Sequence, residues 1–470
     1  MPALAADLLK RFAAIVGDAH AITEPADLEP FLIEHRDLYR GSTPLVLRPG
    51  SVAEVAQIMA LASETGTPIV PQGGNTGLVG GQIPHNGEVV LSLSRLNRIR
   101  SVDPGNDTMT VDSGVVLEQI QKAADEADRL FPLSLGAEGS CQIGGNISTN
   151  AGGTAVLAYG NTRDLVLGLE VVLADGRIWN GLRSLRKDNT GYHLKDLFIG
   201  AEGTLGIVTG AVLKMFPKPR EVATAFVAVD DPAAALKLFT VARGKAGAQL
   251  TGCEILPRIG IEMVLKHAAG TRDPLAEAHP WYVLVELSSP LEGADVDGLM
   301  QAILEQAFET GTVRDAAIAG SIAQARDFWQ IRLMMSEVQR SEGGSIKSDI
   351  SVPVGKVAEM LERGIGIVEK MIPGVRPVPF GHLGDGNIHF NFSQPVGSDR
   401  AAFMAHWDEV TRVLDDLVME LGGSISAEHG IGFMKRDLME LIKQPVELDM
   451  MRAIKQAFDP KGILNPGKVV

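Results

Sequence analysis

The stretch GHLGDGNIHFNF, residues 381 to 392, sets two histidines around an Asp-Gly pair. Asp-Gly between apolar runs is a strong signal for a two-residue hairpin turn. With Asp385 and Gly386 at the turn, residue 384 pairs with 387 and 383 with 388, so His382 lies directly opposite His389. Opposed residues share a face with Cβ atoms roughly 4.5–5.5 Å apart, close enough for both imidazoles to reach one ion. Asn391 shares that face, while Phe390 and Phe392 point to the other. The pair is either structural or part of a metal site. GGSISAEHGIG (422 to 432) offers a third ligand, Glu428, beside His429 in a glycine-flanked turn. Two histidines and a carboxylate with an open position form a catalytic rather than a structural metal arrangement.

Two stretches upstream of the hairpin carry cations able to meet a carboxylate. In RDFWQIRLMMSEVQRSEGG (326 to 344), Arg332 and Ser336 are four apart and share one helix face. SIKSDISV (345 to 352) alternates, placing Lys347, Asp349 and Ser351 opposite Ile346, Ile350 and Val352. Any one of these charges, taken singly, is as well explained as a solvated surface group.

Three glycine-rich loops occupy the first half. PQGGNTGLVGG (71 to 81) follows an apolar strand-like run and lets backbone N–H groups converge, as a pyrophosphate requires. It is neither a dinucleotide fingerprint nor a Walker loop. PLSLGAEGSCQIGGNISTNAGG (132 to 153) is a long, almost uncharged segment inside a folded domain, and such segments are usually functional. IGAEGTLGIVT (199 to 209) adds a turn leading into a strand. Together they fit a large extended cofactor lying along backbone amides.

These loops resemble the flavin-binding domain of the vanillyl-alcohol-oxidase-type flavoproteins, and the chain as a whole is similar to their D-2-hydroxyglutarate and FAD-linked D-lactate dehydrogenase branch. The resemblance implies an α+β fold: a two-part FAD-binding domain, an inserted α/β substrate domain and a C-terminal segment returning to the first. It implies FAD contacts from Pro71, Gly73, Gly74, Asn75, Thr76, Gly77, Gly80 and Gly81 in the first loop. The second would give Leu135, Gly136, Gly139, Ser140, Ile143, Gly144, Gly145, Ser148, Asn150 and Gly152. The third would give Glu202, Gly203, Gly206 and Ile207. Some relatives tether the flavin to a histidine in the first loop; Asn75 and Thr76 stand there, which implies noncovalent FAD. The motifs GHxGDGNxH and xEHG imply a divalent ion, usually zinc, on His382, His389 and Glu428, with His429 as proton acceptor. Arg332, Ser336, Lys347 and Asn391 match the substrate-binding residues, with serine at 336 where threonine is common in relatives. The implied reaction is oxidation of a D-2-hydroxy acid, with 2-hydroxyglutarate first and lactate, malate or glycolate as alternatives. From the residues alone, a metal-dependent hydrolase or a flavin-binding sensor module stays open.

The elements that must position these residues divide the chain into an FAD-binding domain (1–218), a substrate domain (219–424) and a C-terminal segment (425–470). FPKPR (216 to 220) punctuates the first boundary. Amphipathic patterns predict helices at 52–64, 116–128, 297–310, 321–341 and 402–421. MPALAADLLKRFAAIVGDAH has no leader pattern and reads as a first amphipathic helix. A net charge of −15 without a basic cluster argues against nucleic acid as a partner. Cys141 and Cys253 are the only cysteines, so a disulfide scaffold or iron–sulfur relay is not expected, and the default is a cytoplasmic protein. Without a nicotinamide fingerprint, the electron acceptor is expected to be external, an electron-transfer flavoprotein or a quinone. Nothing in the pattern opposes a homodimer.

Overall fold

The computed structural model describes residues 4–470. The reading of residues 1–3 as the start of a helix lies outside them, and the helix itself spans Ala6–Val16. The chain divides into two compact units. The first joins 1–153, 160–218 and 428–470; the second takes 154–159 and 219–427. The excursion at 154–159 has no counterpart in the sequence reading.

In the first unit, strands Val46–Leu47, Val89–Ser92 and Ile69–Gln72 pair in parallel. Parallel neighbours need a crossover, and helix Val52–Thr65 supplies it. Ser51 caps its start by accepting from Glu54 N–H, and Gly66 ends it at φ 69°. Val55, Ile58, Met59 and Ala62 seal this helix onto Leu47, Ile69, Val89 and Leu91. The C-terminal segment joins the same layer. Ile69 N–H donates to Ile463 O at 2.8 Å and Asn465 N–H to Ile69 O at 2.9 Å, with Leu464 buried beside them. The strand that leads into the first glycine loop is thus pinned by the end of the chain. A second sheet, antiparallel, runs in the order 99–103, 108–112, 207–214, 166–172, 178–181.

The second unit is built on a seven-stranded sheet. Its order is Asp315–Ile318, Glu221–Val229, Trp281–Ser289, Leu250–Pro257, Arg376–His382, Asn387–Ser393, Ser345–Ser351. Helices and strands alternate along the chain, yet every pairing is antiparallel. Helices Arg258–His267 and Ile322–Val338 cover one face through Ile261, Val264, Phe328, Ile331 and Met335, packed on Phe226, Leu256, Leu284 and Phe380. The predicted helix at 321–341 therefore exists, with its last turn tightened into 3-10 geometry at Gln339–Glu342. The one predicted at 402–421 is two, Arg400–Met404 and Trp407–Glu420. On the opposite face Phe390 and Phe392 are fully buried and stacked, and helix Val357–Met371 comes so close that a Cβ on Gly364 would lie 2.4 Å from the Phe390 ring. Among the described residues no helix is long and apolar enough to cross a membrane.

Candidate active site

In the first unit the glycines divide between two tasks. Some allow backbone to pack on backbone. A Cβ on Gly74 would lie 2.1 Å from Ser140 O, one on Gly144 2.6 Å from Ser113 Cβ, and one on Gly203 2.4 Å from Pro71 Cγ. The first loop is thereby pressed on the second, and the third on the strand that starts the first. Others face open space: nothing lies within 4 Å of a Cβ placed on Gly136 or Gly145. The second loop is not structureless throughout. Residues Ile143–Thr149 form a short helix ended by Asn150 at φ 51°. Its Gly144 N–H is held by Ser113 O, and its Ser148 O accepts from Glu202 N–H.

Two residues expected to meet the cofactor direct their side chains elsewhere. Asn75 donates to Pro30 O and Ile33 O and accepts from Gln82 Nε2, so its amide ties the first loop to the chain around 30–33. Glu202 sends its carboxylate to the C-terminal segment, accepting from Ile431 N–H at 2.7 Å and Gly432 N–H at 2.8 Å. Burial pushes its pKa up to about 7, against the pull of those two amides. The fit to FAD rests on what the loops leave over. Besides the open glycines, Gln142 Oε1 and Asn146 Oδ1 are buried with no hydrogen-bond partner among the described residues, and such atoms call for a polar ligand. In the same unit Glu428 Oε1 accepts from Gly153 N–H at 2.5 Å, which orients the carboxylate beside His429.

In the second unit the predicted hairpin register is corrected. His382 pairs with Asn387 and Phe380 with His389, around a four-residue turn at 383–386. The reason lies in the neighbouring strands. Besides the turn's own bonds from Asp385 N–H and Gly386 N–H to His382 O, Gly384 N–H donates to Cys253 O and Gly386 O accepts from Val352 N–H, so the flanking strands also hold the turn residues. A Cβ on Gly386 would sit 2.1 Å from Val352 O. A slip of two residues preserves which side chain faces which way. His382 and His389 therefore stay on one face, as diagonal rather than direct neighbours, with ring centroids 5.6 Å apart. Asn391 remains on that face opposite Lys347, and Asp349 lies opposite His389.

Side chains on this face lock one another in place. Glu254, 1% exposed, sits opposite His382 and takes its Nδ1 at 2.7 Å and Arg332 Nε at 2.6 Å. Burial alone would raise the Glu254 carboxyl, but His382 and Arg332 hold it down at about 2. The Arg332 guanidinium also lies over the Phe380 ring, 4.7 Å from its centroid. One turn along the same helix, Ser336 accepts from Lys347 Nζ at 3.2 Å through its hydroxyl and at 2.9 Å through its carbonyl. Asn391 Nδ2 donates to Gln339 Oε1 at 3.0 Å, and Asn387 Nδ2 to Asp349 Oδ1 at 2.9 Å. His389 Nδ1 is 3.8 Å from Asp349 Oδ1. A histidine whose one ring nitrogen is held by a carboxylate is the usual form of a metal-ligating imidazole, so the donors present fit a divalent ion.

The structure thus brings Arg332, Ser336, Lys347, His382, His389 and Asn391 to one sheet face. Sequence reasoning missed Glu254, Phe380 and Gln339. Glu254 could have been found, since it is the single charge in an otherwise apolar strand, LTGCEILP, and buried charges are almost always paired.

Comparison with known proteins agrees with this fold. Residues 43–181 match the family described as "FAD binding domain", and residues 218–469 match "FAD linked oxidases, C-terminal domain". The chain is 39% identical over 473 residues to a probable mitochondrial D-2-hydroxyglutarate dehydrogenase of Oryza sativa subsp. indica, covering 99% of this chain and 82% of that protein. It is 38% identical over 450 residues to the D-2-hydroxyglutarate dehydrogenase of Xanthomonas citri pv. viticola, covering 95% and 93%. Among solved structures, p-cresol methylhydroxylase with substrate bound superposes with a TM-score of 0.78 at 19% identity, covering 98% of this chain and 96% of that one, a likeness of fold. The expected architecture, a flavin-binding domain of this type with an inserted substrate domain, stands. The chain belongs to the FAD-linked oxidase family, in the branch that contains these D-2-hydroxyglutarate dehydrogenases.

Proposed function

We propose that this enzyme oxidises D-2-hydroxyglutarate to 2-oxoglutarate with noncovalent FAD. The observation that carries the reading is the gathering of Arg332, Lys347, His382 and His389 on one face of one sheet: two cations suited to carboxylates beside two imidazoles suited to a metal. Bound FAD supplies the two-electron acceptor for the hydrogen on C2. His382, His389 and Glu428 would be the ligands of a divalent ion, which would supply Lewis acidity toward the C2 hydroxyl.

The chain's own residues do the rest. Arg332, with Nε held by Glu254 and its plane on Phe380, presents a rigid fork to a substrate carboxylate. Lys347, steadied by Ser336, adds a second cation, and Asn391 contributes an amide fixed by Gln339. His429 accepts the hydroxyl proton on a ring nitrogen, a task for which imidazole is the commonest side chain. Loss of that proton and of the C2 hydride leaves the 2-oxo acid, and the electrons pass to an external acceptor such as an electron-transfer flavoprotein or a quinone.

Anaerobic mixing tests the reading. D-2-hydroxyglutarate should bleach the visible flavin band while the L form leaves it unchanged, and chelation should slow the bleaching. Bleaching by D-lactate, D-malate or glycolate but not by D-2-hydroxyglutarate would replace the five-carbon substrate with one of those. A purified protein without flavin would remove the redox reading altogether.

A further inference from the structure

Glu254 lies outside every motif that pointed to the site, yet it touches two of the residues assigned to it. Its strand, Leu250–Pro257, is buried throughout, and a carboxylate there has no water to solvate it. Its burial is compensated by Arg332 Nε and His382 Nδ1, which each meet one of its oxygens, at 2.6 and 2.7 Å. One carboxylate therefore sets two orientations. Toward His382 it fixes the tautomer: with Nδ1–H directed at Glu254, the lone pair of the neutral ring belongs to Nε2. Toward Arg332 it engages the nitrogen at the root of the fork, so the two Nη groups at the far end point away from the contact. The ring of Phe380, adjacent in space and opposite His389 in register, fixes the plane of that fork.

We infer that Glu254 is the positioning residue of this site, coupling the metal-ligating imidazole of His382 to the carboxylate-binding guanidinium of Arg332 through a single buried carboxylate. The inference rests on the proposed roles of those two residues. Carboxylates that hold a ligating histidine change metal affinity or activity by about 10- to 100-fold when replaced. Because the same group also anchors the arginine, its loss should weaken metal and hydroxy acid together, while flavin, bound by another part of the chain, is retained.

The test uses the FAD-loaded full chain, stripped of metal by a chelator and titrated with Zn²⁺ alone, for the wild type and for Glu254→Gln, Glu254→Asp and His382→Ala. Flavin content is measured on each protein. The expected order of Zn²⁺ affinity is wild type, then Glu254→Asp, then Glu254→Gln, with the last about 10- to 100-fold below the first. In metal-saturated steady-state assays, KM for the hydroxy acid should rise further in Glu254→Gln than in Glu254→Asp. Should Glu254→Gln fail to fold, Glu254→Asp against wild type carries the comparison, because it keeps the charge and withdraws the oxygens. If His382→Ala weakens Zn²⁺ binding and both Glu254 variants leave it at the wild-type value, the positioning role is wrong although the site stands. If His382→Ala binds Zn²⁺ as the wild type does, the metal assignment fails, and this inference with it.

Discussion

Adding one methyl group at Gly145 and, separately, at Gly74 distinguishes the two tasks of the glycine loops. A Cβ on Gly74 would stand 2.1 Å from Ser140 O and 3.1 Å from Cys141 Cα, all backbone, so the first and second loops must part. Overpacking of that kind costs about 1–3 kcal/mol, and Gly74→Ala should lower the stability of the flavin-free protein by that amount. At Gly145 the new methyl meets nothing within 4 Å, and the residue lies inside helix Ile143–Thr149. Alanine is favoured over glycine in a helix by roughly 0.5–1 kcal/mol, so flavin-free Gly145→Ala should be as stable as the wild type or slightly more so. If the open space over Gly145 belongs to the cofactor, the same methyl meets FAD. A clash of about 1–3 kcal/mol is a loss of about 5- to 150-fold in FAD affinity. Denaturant unfolding of the flavin-free proteins and FAD titration followed by flavin fluorescence read the two quantities separately. Gly145→Ala that binds FAD as tightly as the wild type would show that the second loop does not face the cofactor there. Gly74→Ala with unaltered stability would show that the loops are not packed as described.

Three further perturbations follow from named contacts. His429→Ala should retain flavin while anaerobic reduction by the hydroxy acid slows by about 10²- to 10⁴-fold, measured by stopped-flow absorbance; unaltered reduction would remove the proton-acceptor role. Arg332→Ala leaves Glu254 buried without its arginine, which should destabilise the protein by about 3–5 kcal/mol in denaturant unfolding. Arg332→Lys should keep more of the stability but raise KM, because an ammonium lacks the planar fork. Glu202 predicts a pH dependence. Its folded pKa, pushed up to about 7 by burial, lies above the unfolded value of 4.5. The folded state thus keeps the proton to higher pH than the unfolded one, and stability falls as pH rises from the unfolded to the folded pKa, by about 3 kcal/mol in all. Glu202→Gln should flatten that fall, and a slope identical to wild type in unfolding curves across the same range would refute the assignment.

What the sequence discloses here depends on how local each signal is. The helix at 52–65 is visible because an N-cap serine and a terminal glycine are both local signals. The sides of the sheet taken by His382, His389, Asn391 and Lys347 were legible for the same reason: side-chain direction alternates with every residue, and a slip of two leaves it intact. The register itself was not legible, since Gly384 and Gly386 bond to Cys253 and Val352, residues far from the turn in sequence or outside it. Asn75 and Glu202 illustrate the same limit from the other side. Both lie in loops whose backbone suits a cofactor, yet their side chains answer to residues 30–33 and 431–432, and only tertiary structure brings those segments near. A lone glutamate in an apolar strand announces that it has a partner without saying which, and the partner is what decides its meaning. Paired with a surface lysine, Glu254 would be incidental; paired with Arg332 and His382, it ties the cation proposed for the substrate to the imidazole proposed for the metal. Residues proposed to act on the substrate are therefore recognisable by type and spacing, whereas the residue that holds them is recognisable only by its burial and its contacts.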